Sequence, residues 1–454
     1  MISFGAPDGD AKIATMRRRV LLGAGLAAGI AGVAGCGPGS SPPASLPPPT
    51  NGTAPATRRP APDPATTLTA AAAPAPYAAE LVATLERFLA PTRDNPKHPG
   101  FAGGVVLAAV DGRITVHEAI GDAVRYQAGP RELPAAQRVA MRPDSVFDTA
   151  SLTKVTTAIL TLQLVDDGLV DLDAPVARYL PEFGGPGKAG ITVAQVLAHT
   201  SGLSVGVNLA GLNRSAQNAR VLAAPLLKGA TPGTVFRYSG TGLMVLGLLV
   251  ERLVGQPLDI VLRERLAAPL SLTDTGYLPL GWLNKDDRAT RLVATDARRR
   301  LIRGEVHDDT ARALGGVAGH AGLFSTAADL AVIGQMLLAG GTYGGTRVLT
   351  EETVIRMLTN ANPGLPAVDA ERPHRTATHG LGVELNQTWF MGRLASATTF
   401  GHTGFTGTEL VVDPIRRLVL VLLTNRAHPN WTWADPDVPR VAAANVLAAA
   451  IPTA

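Results

Sequence analysis

Hydrophobic residues fall along this chain in blocks of different period, and each period predicts a different element. An uncharged run from Val20 to Gly35 follows Arg17-Arg18-Arg19. It is short for a membrane span and has the make-up of the apolar region of an export signal. From Gly37 to Pro76 large apolar residues nearly disappear in favour of Pro, Ala, Ser and Thr. Such a stretch cannot bury a core, and it predicts an extended tether. Helical spacing begins at Tyr77 with Leu81, Val82, Leu85 and Phe88-Leu89. The run Gly103 to Val110, the pair Asp111-Gly112 and then Ile114-Thr115-Val116 predict a hairpin with a two-residue turn. Val155, Ile159, Leu160, Leu162 and Val165 mark a buried helix, Leu243 to Val250 begins another, and Glu409 to Val412 and Leu418 to Thr424 read as strands. The chain therefore divides into an export segment over 1–36, a tether over 37–76 and one catalytic unit over 77–454.

With 454 residues, 46% of them hydrophobic and 17% charged, the body is globular. The net charge of +4 looks basic, but residues 1–76 hold six basic and three acidic side chains, which leaves the body near +1. Nucleic acid as a partner has no electrostatic support. Cys36 is the only cysteine, and Val33-Ala34-Gly35-Cys36 closes the apolar run with small residues, a pattern that resembles the bacterial lipoprotein box. Lipidation of Cys36 predicts an exported protein anchored to the cell membrane on its extracytoplasmic face. The paired arginines resemble a twin-arginine signal, and a Sec route also fits.

The candidate chemistry begins at Ser151-Leu152-Thr153-Lys154, where the buried helix starts. Residues three apart share a helix face, so Lys154 falls beside the Ser151 hydroxyl, and the helix N-terminus favours an alkoxide-like oxygen there. An amine so placed can accept a proton from the nucleophile or stabilise it. Of the six lysines in the chain, Lys154 alone has a serine three positions before it. Tyr238 lies on a loop just before the Leu243 helix; taken singly it reads as a core tyrosine. His402-Thr403-Gly404 precedes the C-terminal strand pair and could be a simple turn.

Together, Ser151-x-x-Lys154, Tyr238-Ser239-Gly240 and His402-Thr403-Gly404 resemble, in order and spacing, the motifs of the class C β-lactamase and DD-peptidase superfamily of serine hydrolases. The flanks agree: Asp148-Thr149-Ala150, Tyr179-Leu180-Pro181-Glu182-Phe183, Leu197-Ala198-His199-Thr200-Ser201-Gly202-Leu203 and Gly315-Gly316-Val317-Ala318-Gly319-His320-Ala321-Gly322-Leu323-Phe324-Ser325. The resemblance implies Ser151 as nucleophile, Lys154 and Tyr238 as proton relay, and the backbone N–H groups of Ser151 and Phe405 as oxyanion hole. It implies substrate contacts from His402, Thr403, Gly404 and the Gly240 position, and no metal or other cofactor. His307-Asp308 and His320 have no compact metal-ligand spacing. His320 lies in a glycine-rich loop and reads equally as lining the cleft or bracing the loop; His199 reads as structural.

The implied fold class is α/β: an antiparallel sheet flanked by helices, built from the N-terminal hairpin and the strands at 400–424, with a mostly helical region of about 155–340 inserted. The active site falls in the cleft between them. The implied substrate is a small molecule or a peptidoglycan-like peptide or ester, cut in the manner of a DD-peptidase or an esterase. The alternative is a non-catalytic penicillin- or peptidoglycan-binding envelope lipoprotein. It is motivated by Gly240, which stands where the family usually has an asparagine that positions the substrate's acyl-amide group. On that reasoning Gly240→Asn should shift activity from esters toward amides.

Overall fold

The computed structural model describes residues 66–369, 372 and 374–453. The export segment, Cys36 and the tether up to residue 65 lie outside the described residues. Among the described residues no helix is long and apolar enough to cross a membrane.

The predicted hairpin is the centre of the main sheet. Strand β2 (Gly103–Val110) pairs antiparallel with β3 (Arg113–Val124). Asp111 and Gly112 between them have φ of +51° and +72°, the left-handed pair that a tight hairpin turn matched to strand twist requires. β3 extends eight residues past the predicted Val116 because Ile120, Ala123 and Val124 continue to bury side chains. On one side it takes β1 (Thr69–Ala70) in parallel and β4 (Val139–Ala140) antiparallel. On the other side of β2 come β8 (Leu418–Thr424), β7 (Thr408–Asp413), β6 (Phe400–Gly404) and β5 (Glu384–Leu385), all antiparallel. The order is β1-β3-β2-β8-β7-β6-β5. Residues 66–76, which composition assigns to the tether, thus lie along β3. Thr69 N–H donates to Gly112 O at 2.8 Å and Ala71 N–H to Ile114 O at 3.0 Å, pairing that needs backbone only.

Period-two alternation sorts the sheet's side chains onto two faces. Val106, Ala108, Val411, Leu420 and Leu422 pack with Leu81 and Leu85 of α1 (Ala78–Glu86) and with Ala443, Ala444 and Leu447 of the C-terminal helix. Val105, Leu107, Leu410, Val412, Val419 and Val421 face the larger core, which includes α2 (Thr153–Asp166), α3 (Gly240–Val254) and α5 (Ala327–Leu338). β8, buried along its whole length between the two layers, is accordingly an unbroken apolar run. Helices predominate over strands in the inserted region, and a three-stranded sheet joins it to the segment before Ser151: Leu323–Ser325 lies between Phe147–Asp148 and Gly276–Tyr277. That small sheet delivers the chain to Ser151.

Candidate active site

Ser151 sits in a short 3-10 turn, Ala150–Leu152, that runs into α2. Ala150 holds φ +49°, costly for a residue with a Cβ. Neighbouring segments fix the turn. Thr149 donates through N–H (3.0 Å) and Oγ1 (2.8 Å) to Leu323 O. The buried Asp148 accepts from Ala150 N–H at 2.9 Å and from His307 N–H at 2.7 Å. Burial raises the Asp148 pKa, against the opposing pull of these two N–H groups. Thr406 and Thr408 donate their hydroxyls to Asp148 O (2.7 Å) and Thr149 O (2.9 Å), which ties the segment after His402-Thr403-Gly404 to the serine.

Lys154, in the first turn of α2 and 2% exposed, donates from Nζ to Ser151 Oγ at 3.0 Å and to His320 O at 2.9 Å. The same Nζ lies 5.0 Å above the centre of the Tyr238 ring. Tyr238 is half-buried, packed between His199 (4.7 Å) and His402 (6.2 Å), with the Arg375 guanidinium 5.1 Å from its ring. Arg375 pairs with Asp369 at 3.0 Å and Glu384 at 2.7 Å. Ser239 caps α3 by accepting from Gly242 N–H at 3.0 Å, and its own N–H donates to His199 Nδ1 at 3.1 Å. His199 is therefore structural in this geometry, holding the Tyr238 loop.

His402 is 1% exposed on β6, and its Nδ1 meets Thr403 O at 2.8 Å, so Nδ1 carries the proton. Burial, reinforced by the charge on Lys154, holds its pKa well below the usual histidine value. It is neutral near pH 7. Thr403 and Gly404 continue β6, and Phe405 follows, 44% exposed, its ring 5.4 Å from His307 and 5.6 Å from Trp431. The structure thus brings Ser151, Lys154, Tyr238 and the His402–Phe405 segment to one place.

Gly240 begins α3 beside them, and here the structure revises the sequence reading. A Cβ at Gly240 would lie inside 3.0 Å of the Val205 carbonyl oxygen, closer than real Cβ atoms come, and 3.3 Å from His320 Cδ2. The place a Cβ would take is already held by the Val205 carbonyl and lies against the ring of His320. Gly240 is a packing requirement, so it no longer argues for a lapsed, non-catalytic site. His320 is buried, and its Nε2 meets Asp308 Oδ1 at 3.1 Å. Asp308, which motif reading weighs only as a metal ligand, is the participant the sequence missed, together with Arg375. Asp308 also caps α4 (Asp309–Ala313) by accepting from Ala311 N–H at 2.7 Å, and an Asp at a helix start was the one local signal for it. Among the described residues no group of three or more His, Cys, Asp or Glu side chains is placed to hold a metal ion.

Comparison with known proteins places this geometry in a wider set. Residues 81–444 match the family model described as Beta-lactamase. The chain is 32% identical over 370 residues to an Escherichia coli (strain K12) protein named "Putative D-alanyl-D-alanine carboxypeptidase", covering 74% of this chain and 81% of that one. It is 34% identical over 359 residues to the N-acetylmuramyl-L-alanine amidase of Bacillus subtilis (strain 168), covering 72% of this chain and 78% of the relative. Among solved structures, a family VIII carboxylesterase shares the fold with a TM-score of 0.59 at 24% identity, over 83% of this chain and 98% of that one.

Proposed function

The chain belongs to the Beta-lactamase family, and from that premise we propose that it is an exported, Cys36-anchored serine hydrolase. It forms an acyl-enzyme on Ser151 and acts on envelope esters and amides whose leaving group carries no carboxylate. The observation that carries the catalytic part is the 3.0 Å contact between Lys154 Nζ and Ser151 Oγ, with the same amine over the Tyr238 ring. Ser151 Oγ attacks the substrate carbonyl carbon while its proton passes to the Lys154–Tyr238 pair. The carbonyl oxygen gains the displaced electron pair in front of the Ser151 and Phe405 N–H groups. As the C–O or C–N bond breaks, the pair returns the proton to the departing oxygen or nitrogen. Water then repeats the sequence on the acyl-enzyme and releases the acid.

The leaving-group preference rests on charge. Cutting a terminal D-alanine or a penicillin requires holding a carboxylate beside the scissile bond, a task for a fixed cation. On β6 that place belongs to His402, buried and neutral. Arg375 is 4% exposed at its side chain and engaged with Asp369 and Glu384. Of the two curated relatives, the amidase fits this reading and the carboxypeptidase favours a leaving group that carries a carboxylate.

A fluorophosphonate probe should label the wild type and leave Ser151→Ala unlabelled, and Lys154→Ala should slow labelling by on the order of a hundredfold. In a substrate panel, p-nitrophenyl butyrate should turn over well ahead of a D-Ala-D-Ala peptide and a cephalosporin. Labelling of Ser151→Ala would refute the nucleophile; preference for the D-Ala-D-Ala peptide would refute the neutral leaving group.

A further inference from the structure

Lys154 reaches Ser151 on a long, flexible side chain, and its amine is aimed by what accepts its protons. The acceptors are Ser151 Oγ and one peptide carbonyl, His320 O at 2.9 Å. That carbonyl sits in the loop 315–322, where Gly315, Gly316 and Gly322 hold φ of +74°, +87° and +113°. Backbone of this kind is permissive and does not by itself fix the direction of a peptide group. The loop is pressed onto α3: a Cβ on Gly319 would collide with the Leu243 carbonyl and would lie 3.1 Å from Gly247 Cα. The Tyr277 hydroxyl donates to the loop's Ala318 carbonyl at 3.1 Å, and the loop's one polar side chain is the His320 ring.

The ring is wedged between Gly240, whose missing side chain admits it, and Asp308. Asp308 as a carboxylate can only accept, so Nε2 carries the hydrogen and donates at 3.1 Å. The groups facing His320 are Asp308 and Lys154: burial holds the ring's pKa below the usual value and Lys154 adds to that, while Asp308 opposes it. Asp308 is itself fixed by Ala311 N–H, and the preceding residue, His307, donates its N–H to Asp148, three positions before the nucleophile. One turn, 307–308, thereby connects to Lys154 through His320 and, through Asp148, to Ala150, the residue before Ser151.

We propose that Asp308 is a positioning residue for catalysis: by holding the His320 ring it fixes the peptide carbonyl that seats the Lys154 amine against Ser151. The inference rests on the acyl-enzyme reading above. It also gives Gly240 a positive role, as the opening through which His320 reaches this position.

Helix capping and ring holding can be separated by choice of residue at 308. Serine keeps a good N-cap for α4 but is too short to reach His320, whereas asparagine keeps both the cap and an acceptor oxygen and removes the charge. Wild type, Asp308→Ser and Asp308→Asn are compared on p-nitrophenyl butyrate, with the concentration of competent enzyme taken from active-site titration. Asp308→Ser should lower kcat by roughly ten- to a hundredfold, the effect of a misplaced catalytic amine, with KM and Tm close to wild type. Asp308→Asn should restore kcat to within about threefold of wild type, because the tie to His320 survives. Equal kcat in wild type and Asp308→Ser overturns the proposal, and so does an Asp308→Asn variant as slow as Asp308→Ser, which would assign the effect to charge. A wild type that is never acylated overturns the hydrolase reading itself, a result distinct from either.

Discussion

Replacing Gly240 with asparagine, the residue usual at this place in the family, tests whether the site is shaped by packing or by loss. The new Cβ would fall inside 3.0 Å of the Val205 carbonyl oxygen and 3.3 Å from His320 Cδ2. To reach ordinary contact, the Val205 carbonyl must retreat by roughly 1 Å. It is not free to do so, because Ser204 beside it accepts from Ser239 Oγ at 2.7 Å and meets Thr241 Oγ1 at 3.2 Å. Overpacking of this sort costs about 1–3 kcal/mol, and the gain from replacing glycine at a helix start offsets a fraction of it. For a domain of this length that is a Tm loss of roughly 1–4 °C. The activity should follow the same displacement: with His320 pushed, Lys154 loses its seat, and ester turnover falls by about tenfold or more. The ratio of amide to ester turnover stays unchanged, since the displacement acts on the seat of Lys154, which both substrates use. Thermal melts and paired rates on p-nitrophenyl butyrate and the matching p-nitroanilide decide the matter. A Gly240→Asn variant with wild-type Tm and a raised anilide-to-ester ratio would refute the packing argument and restore the simple reading of a missing asparagine.

Two further outcomes are expected. Glu409 on β7 is fully buried, 4.0 Å from Arg440, and burial pushes its pKa up to about 8. The folded state thus keeps a proton that the unfolded chain, near 4.5, gives up. The stability associated with it is complete below about pH 4.5 and declines toward pH 8, by at most about 1.4 kcal/mol per unit. Asp329, raised to about 6 by burial, adds the same sign at lower pH. Urea unfolding between pH 5 and 8 should show stability falling with pH in the wild type and a flatter profile in Glu409→Gln; parallel profiles would show Glu409 ionised in the fold. Lastly, labelled fatty acid should enter the wild-type protein in its host, and Cys36→Ala should release it from the membrane fraction, whereas a variant that stays bound is held by the apolar run 20–35.

What the sequence made legible was what depends on local spacing. Ser151 and Lys154 were paired by the three-residue helical offset, and the hairpin was placed by its turn and alternation, because both are consequences of backbone geometry within a few residues. Tyr238 and His402 joined them only by resemblance, since their approach to Lys154 depends on how α3 and β6 pack. Asp308 was invisible as a functional group, because its partner His320 is twelve residues away across a helix and a glycine loop. Gly240 misled for a related reason: a sequence displays the absence of a side chain but not the neighbour that occupies its space. Composition leaves no mark of the pairing at Thr69 and Ala70, because they join the sheet through N–H and C=O groups, which nearly every residue possesses.

The same contacts explain why motifs more than a hundred residues apart must occur together. Ala150, one residue before the nucleophile, is held at φ +49°, a conformation that costs on the order of 1 kcal/mol or more and that persists only where its surroundings over-determine it. Here the surroundings are three distant pieces of chain: the Leu323 carbonyl receiving Thr149, the Thr406 and Thr408 hydroxyls on the Asp148 and Thr149 carbonyls, and the His307 N–H on Asp148. Two of those pieces carry site residues of their own, His320 just before Leu323, and His402 to Phe405 just before Thr406. The hydrogen bonds that keep the serine turn in its strained form are therefore the ones that bring the His320 and His402–Phe405 segments to it. A change that loosens one of them should disturb the nucleophile and the neighbouring segment together.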